Sequence, residues 1–397
     1  MARKQRNGQT PLALIFVLGL TLFSLLSICV NHVALQNAYS QQEASLLSTH
    51  ADRFKKTETS EYYSSAIQEN NPKGNADTQI QDLTSVAMMI ETERQRIIRS
   101  TLLDKDRPAI AWLLSYPNSG TSFTMRMTNF DSNTTVAVNY PQEPLHLGHD
   151  IEPLYNSSKV PFILNPNMSL PSKYIMTKTH CAGYCTHCPP DSYANIKLDV
   201  FIERCRASGD KDKDASYNNT IQVEKAVHLM RDPIDNIVSN YRLLVKNFQR
   251  RKQPRLIKQF TNDKEGFFKF CLVSDNKWRK KDRQIFQEDF HKMKKIKCHA
   301  LFYRWTQWHN LAYEMTIDEL KIPTLNLAYE EYGSDFDGMK EKLFGFLELD
   351  SVQETIPFVA GKTYRDYFTK EERDEIMDMI KHFAKPQIWD MAKRYLD

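Results

Sequence analysis

The sequence predicts an α/β domain, a central parallel sheet flanked by helices, that carries a P-loop-like strand–turn–helix and follows an N-terminal transmembrane helix and a stem. Three observations lead there. Short, mainly apolar runs recur at 109–116 (AIAWLLSY), 174–178 (YIMTK), 225–230 (KAVHLM) and 324–329 (TLNLAY). Strands of this composition are buried on both faces, as in parallel sheets. Between them lie stretches with helical spacing, among them PIDNIVSNYRLLVKNF and ALFYRWTQWHNLAYEM, the alternation expected of βαβ units. The first run ends in Pro117-Asn118-Ser119-Gly120-Thr121-Ser122, a turn that feeds a helix.

Taken in chain order, residues 1–10 read as a cytosolic tail and 11–31 as a transmembrane signal anchor. Nineteen uncharged residues, 12–30, are interrupted only by Gly19, Thr21, Ser24 and Ser27. At ~1.5 Å per residue this helix nearly spans a hydrocarbon core of ~30 Å. Arg3, Lys4 and Arg6 precede it and uncharged residues follow, so the positive-inside rule leaves the rest of the chain lumenal. A cleaved signal peptide is the competing reading, but the apolar region is long and no good small-x-small site follows. Sequons at Asn133, Asn156, Asn167 and Asn218, and six of the seven cysteines, lie beyond the anchor; both features suit an oxidising lumen. Residues 32–107 are largely polar, with helical spacing only over 82–103 (Val86, Ile90, Ile97), and read as a stem. The α/β domain then occupies 108–397. The formal net charge of +4 is too small to imply a nucleic-acid partner.

Within the domain, two segments have the chemistry of an anion site. After strand 109–116, Gly120 lets the backbone approach a ligand closely, and the helix starting near Ser122 presents free N–H groups and the positive end of its dipole. Ser119, Thr121 and Ser122 add hydroxyls. After strand 225–230 comes RDPIDNIVSNY. Asp232 suits an N-cap and Pro233 the first helical position. Ser239 lies six residues after Pro233, ~9 Å along the axis, so Arg231 and Ser239 could share one phosphate. The plainer alternatives are an ordinary capped turn and an Arg231–Asp235 surface pair.

With these residues in view, SYPNSGTSF (115–123) resembles the 5′-phosphosulfate loop of the sulfotransferase superfamily, and RDPIDNIVSNY resembles its 3′-phosphate motif. Lys178-Thr179-His180, YRWTQWH (303–309), LAYEEYGSDFDGMKEKLFGFLEL (327–349) and GKTYRDYFTKEE (361–372) are similar to further family segments, in the family's order. The resemblance implies a fold shared with nucleotide kinases; a kinase P-loop would need GxxxxGK[ST], and no Gly-Lys follows this turn. It also implies transfer of a sulfuryl group from 3′-phosphoadenosine-5′-phosphosulfate (PAPS) in the Golgi lumen, by a single-pass type II membrane protein that needs no metal. Asn118, Ser119, Gly120, Thr121, Ser122 and Phe123 would then form the phosphosulfate loop. Arg231, Ser239, Lys362 and the weaker candidate Arg365 would hold the 3′-phosphate. His180, expected near its ordinary pKa, would be the general base, and Lys178 would stabilise charge on the transferring group. Asn118 departs from the Lys or Arg usual in the family. Its amide donates a hydrogen bond but cannot neutralise a leaving phosphate, which keeps a non-catalytic binding protein in play beside carbohydrate and tyrosylprotein sulfation.

Two further features bear on the acceptor. HCAGYCTHCPP brings Cys181, Cys185, His187 and Cys188 together, with Cys205 downstream; disulfides, a zinc site and a redox pair are the readings, with disulfides favoured by compartment. Residues 246–297 hold seventeen Lys and Arg against six Asp and Glu, an excess of eleven. The remainder of the chain is net acidic. Part of such a run is a solvated helical face, but Arg250-Arg251-Lys252 and Arg279-Lys280-Lys281 are dense enough to attract a polyanion, which in this compartment is an anionic glycan.

Overall fold

The computed structural model describes residues 108–140, 151–153, 171–181, 196–206 and 222–396, without 355 and 362. The chain divides after Ile90, and all of these residues belong to the second unit, Glu91–Asp397. The expected anchor (11–31) and stem (32–107) lie outside the described residues, as do Cys185, His187, Cys188 and Lys362. Among the described residues no helix is long and apolar enough to cross a membrane.

Six strands form one sheet: β1 (Ala109–Ser115), β2 (Val136–Val138), β3 (Ile151–Pro153), β4 (Tyr174–Thr179), β5 (Val223–Met230) and β6 (Thr324–Ala328). Their order is β3-β2-β4-β1-β5-β6, and every neighbouring pair is parallel. All seven residues of β1 are buried, because both of its faces are covered. Trp112 and Leu114 join one core with Ala226 and Met230. Ala111 and Leu113 join the other with Val227 and Leu229. The expected strands correspond to β1, β4, β5 and β6. β2 and β3 did not stand out, since three residues are too few to show a period; β3 is an edge strand ending in Pro153, where a missing N–H costs no ladder bond.

The chain leaves β1 toward β2–β4, then returns past β1 to β5 and β6. The winding therefore reverses around β1, and ligands of open parallel sheets bind beyond the strand ends at such a point. On one face pack α1 (Thr121–Ser132) and α7 (Phe336–Leu347); on the other, α3 (Pro233–Arg250), α5 (Lys264–Phe286), α6 (His299–Tyr313) and α8 (Lys370–Phe383). Between them in sequence come α2 (Leu198–Arg206) and α4 (Pro254–Gln259). Local chemistry sets the helix starts. Asp232 accepts from the N–H groups of Ile234 and Asp235 ahead of Pro233. Asp263 caps α5, and Thr369 with Glu372 forms a capping box on α8.

At the rim where β4 and β5 begin, Lys173 and Lys225 converge on Glu348. Lys225 Nζ lies 2.9 Å from Glu348 Oε1 and 2.8 Å from the Phe346 carbonyl, and sits 3.9 Å over the Tyr174 ring. Two disulfides tie elements together: Cys181–Cys205 joins the end of β4 to α2, and Cys271–Cys298 joins α5 to the start of α6. They close loops with sequence separations of 24 and 27, each worth about 3.5 kcal/mol on a chain-entropy basis.

Beneath α6, His228 Nε2 and His309 Nδ1 lie 2.7 Å apart, both buried. Burial holds His228 at a pKa of about 4, and burial with its neighbour His228 pushes His309 well below the ordinary value. Both are neutral in the folded protein, so their contribution is full above pH 6.5 and is lost as pH falls toward 4. For His228 that gap corresponds to about 3 kcal/mol. Asp232 and Asp275, pushed up to about 6 mainly by burial, act in the opposite sense over this window, so the test is a difference. Unfolding free energy of the wild type should drop by about 3 kcal/mol more than that of His228→Gln between pH 6.5 and 4. Parallel losses would remove the histidine as the cause.

Candidate functional site

β1 delivers the chain to Tyr116, whose carbonyl accepts bonds from Ser119 N at 3.2 Å and Ser119 Oγ at 2.7 Å. Asn118 (φ 67°) and Gly120 (φ 97°) both take left-handed backbone conformations. From below, Asn236 on α3 donates to the Pro117 carbonyl (3.0 Å) and to Ser119 Oγ (3.1 Å). Gly120 is the N-cap of α1 and supplies no side-chain cap. Phe123 and Thr124 bond back to the Gly120 carbonyl, whereas the amides of Thr121 and Ser122 have no acceptor within the helix. The ring of Tyr329 presses against Gly120 so closely that a Cβ there would lie 2.1 Å from Cδ2.

Arg231 leaves the end of β5 toward the same turn. Its Nη1 donates to the Asn118 carbonyl at 3.0 Å, and its guanidinium lies 4.7 Å from the centre of the Tyr329 ring. Asn118 Nδ2 and Arg231 Nε are buried without hydrogen-bond partners among the described residues. Two donors of this kind cost stability unless an acceptor arrives. Asp235 is no partner in a surface pair: it is half-buried, accepts from Tyr364 N and Thr363 Oγ1, and feels Arg231 as a nearby charge. Burial nonetheless pushes its carboxyl up. Ser239 follows one turn later on α3 and is half-exposed. Arg365 is occupied: Nη2 donates to the Tyr395 carbonyl at 2.9 Å, and Nη1 lies 3.6 Å from Asp232. It fastens the 363–367 segment to the α3 N-cap. Gly361 also approaches, with a notional Cβ 3.2 Å from Arg231 Nη2.

β4 runs beside β1, pairing Lys178 with Leu113 and Thr179 with Leu114, and brings His180 next to Ser115. His180 Nδ1 lies 2.8 Å from the Ser115 carbonyl and 3.2 Å from Ser115 Oγ. The first contact requires the proton on Nδ1 and leaves Nε2 as the basic atom. The Tyr140 hydroxyl accepts from His180 N at 2.7 Å, and Trp308 Nε1 donates to the His180 carbonyl at 2.9 Å. His180 does not have the ordinary pKa expected of it. Burial, and then the charge of Lys178, push it well below 6.5; it is 1% exposed, and Lys178 is 2% exposed. Cys181 is bonded to Cys205, which removes both sulfurs from a zinc site; the redox reading, of Cys185 with Cys188, lies outside the described residues.

The turn 116–122, Arg231, Lys178 and His180 thus gather at the carboxyl ends of β1, β4 and β5. Phe123 contributes differently from expectation. Its ring packs edge-on against Phe358 and Tyr332 at 4.9 and 5.0 Å, inside the α1–α7 core. Sequence reasoning missed Tyr329 and Asn236. A buried Asn on the apolar face of an amphipathic helix is the one signal that marks Asn236; nothing local marks Tyr329 as the seat of Gly120. The assembled groups offer amide and guanidinium donors to an anion, beside a neutral imidazole that can accept a proton. Compared with family models and with curated protein sequences, the chain matches none.

Proposed function

We propose that the chain is a PAPS-dependent sulfotransferase anchored in the Golgi membrane by residues 11–31, acting on a carbohydrate in the lumen. The observation that carries this reading is the meeting, at the reversal point of a parallel sheet, of the two segments that resemble the family's phosphosulfate loop and 3′-phosphate motif. The buried, unpartnered Asn118 Nδ2 and Arg231 Nε suit a ligand rich in phosphate oxygens. The 119–122 turn would hold the 5′ end of the donor, and Arg231 with Ser239 the 3′-phosphate. During transfer an acceptor oxygen bonds to sulfur as the bond from sulfur to the phosphate oxygen breaks. Nε2 of His180 takes the acceptor proton, and Lys178 with the turn amides stabilises the charge that develops. Lys362, which the family resemblance adds to the 3′-phosphate set, lies outside the described residues. A non-catalytic binding protein is favoured by one feature, the neutral Asn118 in place of a cation.

Arg231→Ala is expected to weaken binding of the product nucleotide, 3′-phosphoadenosine-5′-phosphate (PAP), by about 1.5–3 kcal/mol, the range for hydrogen bonds to charged groups. Adenosine 5′-phosphosulfate, which lacks the 3′-phosphate, should bind nearly as before. Calorimetry on both ligands decides it: equal losses would mean that Arg231 only supports the Asn118 turn. Release of radiosulfate from PAPS onto glycans separates the enzyme from the non-catalytic alternative.

A further inference from the structure

One line of side chains on α1 is turned to solvent. Ser122, Arg126, Phe130 and Asn133 are exposed, at the intervals of four, four and three that trace one face of a helix. Phe130 is 46% exposed, and it is the only aromatic among the large apolar side chains that the described residues leave in solvent. Val352, 59% exposed, meets the same end of the helix, where its N–H donates to the Asp131 carbonyl at 2.8 Å. Single exposed apolar residues are ordinary; what sets Phe130 apart is its neighbour.

Asn133-Thr134-Thr135 is a sequon, and Asn156, Asn167 and Asn218 of the other three lie outside the described residues. Asn133 is the C-cap of α1, with left-handed backbone (φ 50°), and its N–H bonds to the Phe130 carbonyl at 3.2 Å. That bond closes the last turn of the helix and makes the two residues neighbours on it. The Asn133 side-chain amide makes no hydrogen bond to any described residue. Ser122 lies eleven residues back, ~16 Å along the helix, so a bulky group on Asn133 leaves the donor turn open. Resting on the lumenal placement in the proposed function, and not on its donor site, we infer that Asn133 carries an N-linked oligosaccharide whose first sugar lies over the Phe130 ring. The C–H face of a pyranose is apolar, and the ring offers it a flat surface of matching size. The co-substrate is a lipid-diphosphate-linked oligosaccharide, handled by the transferase of the secretory pathway. Asn133 Nδ2 bonds to C1 of the first sugar as the bond from C1 to the diphosphate oxygen breaks. The lipid diphosphate leaves and takes up the proton that Nδ2 gives up. Thr135, whose hydroxyl completes the sequon, is 5% exposed, so the transfer precedes the closing of β2 into the sheet.

The test uses the full chain in detergent micelles, made in a host that glycosylates its secreted proteins. Treatment with peptide-N-glycosidase in heavy-oxygen water turns each glycosylated asparagine into a labelled aspartate, read by mass spectrometry of tryptic peptides. Asn133 should carry the label. Asn133→Asp cannot be modified, and aspartate accepts the left-handed backbone. It should lower Tm by about 2–4 °C, the size of one ring contact in a domain like this. In a Phe130→Ser background the same substitution should leave Tm unchanged, and PAP binding should be equal throughout. Label at Asn156, Asn167 or Asn218 but not at Asn133 would overturn the inference alone. No label at any sequon would overturn it together with the lumenal placement. Equal Tm losses in the two backgrounds would take the sugar off the ring and overturn it as well. So would a wild-type dimer that Phe130→Ser splits, which would give the ring to a second copy. If Asn133 is labelled and PAP does not bind, the donor reading fails alone.

Discussion

Replacing Gly120 with alanine is expected to destabilise the domain by about 2–5 kcal/mol, combining ~1–2 kcal/mol for an L-residue in the left-handed region with ~1–3 kcal/mol for overpacking. Both terms have a visible origin. The backbone at Gly120 has φ 97°, and the added Cβ would sit 2.1 Å from Cδ2 and 2.5 Å from Cε2 of Tyr329. The ring cannot swing away without disturbing Arg231, which it holds at 4.7 Å. PAP binding should therefore fall along with stability. A double-mutant cycle separates the causes: adding Tyr329→Ala should remove the steric part and leave the backbone part. Strict additivity of the two substitutions in denaturant unfolding would show that the ring is not what excludes a side chain.

His180→Ala should lower kcat by roughly 10²–10⁴ with PAP affinity nearly unchanged, the loss expected when a general base is removed. The pH profile carries more information than the rate. Because burial and Lys178 push the imidazole well below 6.5, the acidic limb of kcat in the wild type should lie below pH 6.5, not at it. Lys178→Met should move that limb upward by withdrawing a repelling charge. An acidic limb that stays put in Lys178→Met, or a profile unchanged in His180→Ala, would assign the proton transfer elsewhere. A thermal melt guards against a trivial outcome, since His180 also anchors Ser115, Tyr140 and Trp308.

How much of this was legible in the sequence depends on distance along the chain. β1, β4, β5 and β6 could be placed because each is a local apolar run, and α3 because Asp232-Pro233 announces its start. β2 and β3 could not, being three residues long. Gly120 stood out as the residue a phosphate-type turn needs, but its second constraint comes from Tyr329, 209 positions away, and no local pattern encodes that contact. The same holds for Asn236 under Ser119 and for Arg365, whose guanidinium looks available in sequence and is spent on Asp232 and Tyr395. For His180 the residue was legible and its pKa was not, since desolvation depends on what packs around it. Cys181 could have joined any of several partners; its pairing with Cys205 is set by where α2 lies against the end of β4.

The clamp formed by Glu348 with Lys173 and Lys225 has a practical consequence. It grips β4 and β5 at the ends where they begin, while Lys178, His180 and Arg231 stand where those strands finish. β5 is eight residues long, so roughly 23 Å of strand separates the two rims. Stiffness at one rim and the candidate site at the other are thereby placed under separate control. Substitutions that stiffen or loosen the Glu348 rim can tune heat tolerance without reshaping the candidate site, and a dye or immobilising linker attached there would report on the protein while leaving the opposite rim uncovered.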